Sequence, residues 1–125
     1  MTDHLEILYL SQELRVSLSQ ARTLRALNDL PVMDYRVVEM LDLYSRSKMR
    51  KNVLEPLRET GWIVMHSLTP IHSDVGAPRL AWSLRPEQRG KLKEACKSAK
   101  GWAQRQLKFG TMVVQQLAHE VQNKN

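Results

Sequence analysis

Five residues between positions 46 and 51 could do chemistry together: Arg46, Ser47, Lys48, Arg50 and Lys51. They place two guanidiniums, two ammoniums and a hydroxyl close together, with no acid among them. Met49, Val53 and Leu57 recur at i, i+4 and i+8 with Leu54 beside them, which predicts a helix with an apolar back and a cationic front. A guanidinium can bond guanine at two atoms at once, and an ammonium suits a phosphate oxygen. Such a helix is equipped to enter a major groove, with Arg46, Ser47, Arg50 and Lys51 toward base edges and Lys48 on a phosphate. Ser45 is the expected N-cap and Gly61 the expected stop. Pro56 lies inside the segment, and its missing N–H predicts a kink.

Charge placement agrees with that assignment. The chain has 125 residues, 19 Lys+Arg, 13 Asp+Glu and a net charge of +6. Residues 1–44 hold four bases and seven acids, whereas residues 45–60 hold five bases and two acids. Residues 61–84 cancel, and residues 85–108 hold eight bases and two acids. Two basic blocks on an otherwise balanced scaffold suit a polyanionic partner, although the 85–108 block fits a solvated helix face equally well.

The elements needed to position these residues can be read in order. Leu5, Leu8, Leu10 and Leu14 predict a short first helix. Ser17 and Gln20 have capping-box spacing, with Val16 and Ala21 as a hydrophobic staple. Ala21, Leu24, Leu27 and Leu30 continue that second helix until Pro31 closes it. Asp34 is expected to cap a third helix that buries Val37, Val38, Leu41 and Met40. Beyond the cationic helix, Trp62–Met65 and the alternating Leu80–Leu84 predict a β-hairpin with a long, turn-rich tip from Thr69 to Pro78. Pro86 suits a first helical position, and helix is expected from there to about Gln122, with Gly101 and Gly110 as bends. The expected class is mainly α with a small β-hairpin (α+β). The divisions are an N-terminal helix over 1–16, a winged helix-turn-helix over 17–92 and a C-terminal helical region over 93–125.

From Leu18 to about Lys93 the chain resembles the MarR family of bacterial transcription regulators. The resemblance is carried by Ser17-Leu18-Ser19-Gln20-Ala21 with Leu24-Arg25-Ala26-Leu27, by Tyr44 to Lys51, by Leu54, Leu57 and Gly61-Trp62-Ile63, and by Leu84 to Leu92. It implies a winged helix that binds double-stranded DNA as a homodimer, most simply a cytoplasmic repressor or autoregulator acting on a palindromic operator. The family's wing carries an Asp-x-Arg element, whereas Gly76 stands two residues after Asp74 here. The N-terminal helical region is also shorter than the family's.

Ser17, Ser19, Gln20 and Arg36 are further candidates for backbone contact at helix starts, and Arg79 is the one fixed cation near the wing tip. Trp102, Leu107, Phe109, Met112, Val113, Val114, Leu117 and Val121 exceed what a small domain must cover, and Trp102, Phe109, Met112, Val113, Leu117 and Val121 among them are expected to form a dimer seam. A helix folded back on its own domain is the alternative. His4, His66, His72 and His119 lack paired metal-ligand spacing, and neither a phosphate-binding glycine loop nor a nucleophile elbow occurs. No enzyme activity, metal or cofactor is expected, and no effector can be named. Cys96 is either a small core residue or, beside Lys93, Lys97 and Lys100, a redox switch. No membrane span or signal peptide is expected. Two other functions fit the same residues: a plasmid or phage replication or partition protein, and a winged-helix protein–protein adaptor.

Overall fold

A computed structural model describes residues 2–41, 43–68 and 79–123. It is mostly helical, with a small three-stranded antiparallel sheet, and falls in the α+β class. The order is α1 (Asp3–Leu14), α2 (Leu18–Asp29), β1 (Met33–Asp34), α3 (Tyr35–Met40) and α4 (Arg46–Met49). A π-helical turn (Arg50–Leu54), α5 (Glu55–Glu59), β2 (Ile63–Leu68), β3 (Arg79–Leu84), a 3-10 turn (Pro86–Gln88) and α6 (Arg89–Asn123) follow.

The caps explain where the elements begin and end. Arg15 adopts the left-handed conformation at φ 56° and turns the chain sharply from α1 into α2. The capping box at α2 is complete. Ser17 Oγ accepts the Gln20 N–H, and Gln20 Oε1 accepts the Ser17 N–H, each at 3.1 Å. Asp34 caps α3 through the Arg36 and Val37 N–H groups. Ser45 stands at the N-cap of α4, but its side chain makes no capping bond. Gly61, at φ 84°, ends α5 with a Schellman pair: its N–H donates to the Arg58 carbonyl, and the Trp62 N–H to the Leu57 carbonyl.

Sequence periodicity missed the third strand. Met33 and Asp34 pair with Trp82 and Ala81, so β3 lies at the centre of the order β1-β3-β2. Two residues are too few to show alternation, and this pairing exists only because the α2–α3 connection returns to the hairpin. In β2 and β3, Ile63 faces Leu84 and Leu68 faces Arg79 across an unbroken ladder. The expected tip, residues 69–78 with His72, Asp74 and Gly76, lies outside the described residues.

The main core joins Leu24, Leu27, Met33, Val38, Met49, Val53, Leu54, Leu57, Ile63, Trp82, Leu84 and Leu92. A second cluster, Leu10, Ala21, Ala95 and Ala99, seats α6 against α1 and α2. Alanines on α6 bring the helix backbones close. Met40, expected inside α3, is 81% exposed, because the helix is too short to bury a face that wide. The helix after the hairpin starts at Arg89, since Pro86 opens the 3-10 turn instead. Neither Gly101 nor Gly110 interrupts α6, which at 1.5 Å per residue extends about 52 Å.

Candidate nucleic-acid interface

The candidate surface is the front of residues 46–59. Its apolar back holds as the periodicity predicts: Met49, Val53, Leu54 and Leu57 are all buried. Arg46, Ser47, Lys48, Arg50, Lys51 and Asn52 are exposed. Pro56 produces a wide turn here. The Glu55 N–H donates to the Arg50 carbonyl five residues back, which opens the helix beside the proline ring. Both Val53 and Leu54 can then face the core.

The cations divide into held and free groups. Arg46 pairs with Glu39, and its guanidinium lies 4.6 Å from the centre of the Tyr35 ring. Tyr35 in turn meets Trp82 edge to face at 5.0 Å, so the helix start is tied to the core through stacked side chains. Arg50 pairs with Glu55 at 3.5 Å, and Arg58 approaches the same carboxylate at 3.6 Å. Arg36, Lys48 and Lys51 have no ion-pair partner among the described residues. The two arginines expected to read bases are therefore the restrained ones, and the lysines are open. Spacing marked the cations but could not show that Glu39, on another element, reaches Arg46.

Three of the expected backbone contacts are engaged inside the chain. Ser17 and Gln20 close the capping box, and Ser19 Oγ lies 3.4 Å from Tyr44 Oη. Gln20 also donates through Nε2 to the Asn52 carbonyl at 3.5 Å. Arg79 opens β3, and its side chain lies outside the described residues. His66 Nε2 and Ser83 Oγ are 2.7 Å apart on the hairpin.

On the other side of the molecule, α6 leaves the domain. Its face is buried as far as Ala103, and Trp102 stacks at 5.7 Å on Tyr9 of α1. Trp102 is thus packed within its own chain, unlike the other expected seam residues. Phe109, Met112, Val113, Leu117 and Val121 are exposed, along with Leu107 and Val114. Leu107, Gly110, Val114, Leu117 and Val121 follow one another at alternating steps of three and four, a single helical seam.

Other chemistry finds little here. Cys96 is half-buried, and desolvation pushes its thiol up to about 11. The lysines on α6 do not offset that burial, so a thiolate is disfavoured at neutral pH. Among the described residues no group of His, Cys, Asp and Glu could hold a metal, and no helix is long and apolar enough to cross a membrane. A cleft of about 810 Å³ lies between α1, α2, Leu41 and Leu43. Its lining mixes Arg22 and Arg25 with Asp3 and Asp29 over Ile7, Leu8 and Leu18, and so selects no ligand charge. Arg25 bonds Asp3 at 2.9 Å and reaches Glu6 at 3.4 Å, clamping α1 to α2 and holding the Asp3 carboxyl below its usual range.

No family model matches the chain, and neither the curated proteins nor the solved structures provide a match.

Proposed function

We propose that the protein is a winged-helix DNA-binding regulator, with residues 46–59 as the recognition helix and β2–β3 as the wing. In this reading it works in the cytoplasm as a homodimeric repressor or autoregulator. The observation that carries the reading is the 46–59 segment itself: a helix anchored by four buried apolar side chains, with every basic residue left on the outer face. Lys48 and Lys51 supply free cations for phosphates. Arg46 must exchange the exposed Glu39 carboxylate for DNA, which costs little because such surface pairs contribute about 0–1 kcal/mol, and Arg50 must leave the partly buried Glu55.

The α6 arm supports the dimer. From Phe109 to Asn123 it carries one formal charge, Glu120, so two copies can meet without repulsion. Leu107, Val114, Leu117 and Val121 lie exposed along its one seam, an apolar stripe that a second copy of the helix can cover. A twofold dimer would set two recognition helices about 34 Å apart, matching a near-palindromic site.

The test is binding to random and selected duplexes between about 50 and 200 mM salt. Several phosphate contacts predict a loss of orders of magnitude across that range. An adaptor would bind no duplex even at the lowest salt, and that result removes this proposal.

A further inference from the structure

The first turn of α2 touches the 46–59 helix region at two points. Ser19 Oγ meets Tyr44 Oη at 3.4 Å, just before the helix begins. Gln20 Nε2 meets the Asn52 carbonyl at 3.5 Å, inside the π turn. The second bond falls on the carbonyl whose α-helical donor would be residue 56, a proline. Proline has no N–H, so the Asn52 carbonyl four residues earlier loses its ordinary helical donor. Gln20 supplies a donor to that carbonyl from another helix.

The residue type fits both tasks. Through Oε1, Gln20 accepts the Ser17 N–H and closes the capping box. Glutamate closes such a box equally well. An ionised carboxylate, however, has no N–H for Asn52, whereas an amide carries an acceptor at one end and donors at the other. Only the amide can serve Ser17 and Asn52 together.

We propose that Gln20 is a positioning residue for the recognition helix, fixing the π turn through the Asn52 carbonyl and not contacting phosphate itself. Ser19 steadies the helix start through Tyr44. This inference rests on the DNA-binding reading and replaces the backbone-contact role first expected of both residues. The π turn decides where Lys48 and Lys51 point relative to the buried Met49, Val53 and Leu54. A loosened turn therefore blurs the register of the whole reading face.

The test is a double-mutant cycle with Q20E and P56A in the full-length chain, read by affinity for a selected duplex and by amide hydrogen exchange across residues 50–55. Q20E keeps the capping acceptor but removes the donor, whereas P56A gives the Asn52 carbonyl an N–H of its own. In the natural background Q20E should lower affinity about tenfold and speed exchange in the π turn, a coupling within the range of neighbouring residues. In the P56A background the loss should shrink to about twofold or less, with exchange unchanged by Q20E. Thermal unfolding should show all four proteins folded. An equal loss in both backgrounds would make Gln20 a DNA contact and overturn the inference, as would no loss in either. If the natural chain binds no duplex, the DNA reading fails, and the exchange measurements alone still decide whether Gln20 holds the turn.

Discussion

At the scale of single residues, type and environment disagree most at Arg46 and Cys96. Arg46 has the chemistry to read a base, but Glu39 and the Tyr35 ring hold it toward α3. Replacing the carboxylate should free it. E39Q is expected to raise duplex affinity two- to fivefold, about the free energy of one exposed ion pair, as measured by titration at fixed salt. No change would mean that Arg46 stays out of the complex. Cys96 shows the opposite mismatch, a reactive atom in an unreactive place. Its thiol should react with an alkylating reagent more slowly than a free thiol at pH 8, and the rate should keep climbing toward pH 11. Because the folded value of about 11 lies above the ordinary 9.0, the native state retains the proton longer. Its contribution to stability is complete below pH 9 and is lost as pH rises from about 9 toward 11. A midpoint unchanged between C96A and the natural chain across that window would contradict the assignment.

Among the elements, the caps were the most legible feature. Ser17, Gln20, Asp34 and Gly61 take the roles their spacing predicts, because a cap depends on residues three or four apart and little on the rest of the fold. S17A should therefore cost about 1 kcal/mol, lowering the thermal midpoint by several degrees. Much smaller loss would show that the cap is redundant. The 46–59 helix was legible in its apolar back but not in its path. A proline in a helix predicts disruption, and whether that becomes a kink or a wide turn depends on what lies nearby. Here Val53 and Leu54 both find room in the core, and the π turn lets both be buried. The strand at Met33–Asp34 was illegible for a related reason: its partners are Trp82 and Ala81, almost fifty residues away.

For the whole molecule, α6 is the element with two roles. As far as Ala103 it belongs to the domain core, and beyond it the helix projects with its apolar side chains uncovered. A chain ending after Arg105 should keep the fold, because Trp102 and Ala103 remain in place. It should sediment as a monomer where the full chain is a dimer. A dimer that persists after this truncation would move the interface elsewhere. Ending the chain at Lys100 instead should also cost stability, since it strips the Trp102–Tyr9 contact.

What the sequence determined by itself was local: helix periods, caps, the hairpin alternation and the cluster of cations on one short segment. Each follows from neighbours within about a turn, where propensity and side-chain reach suffice. Only the tertiary structure decided which cations are free, where the α2 capping box also reaches, and how far along α6 the domain stops. Those outcomes depend on groups brought together from distant positions: Glu39 with Arg46, Gln20 with Asn52, and Tyr9 with Trp102. Such pairings follow from packing the core, and no spacing in the chain encodes them directly.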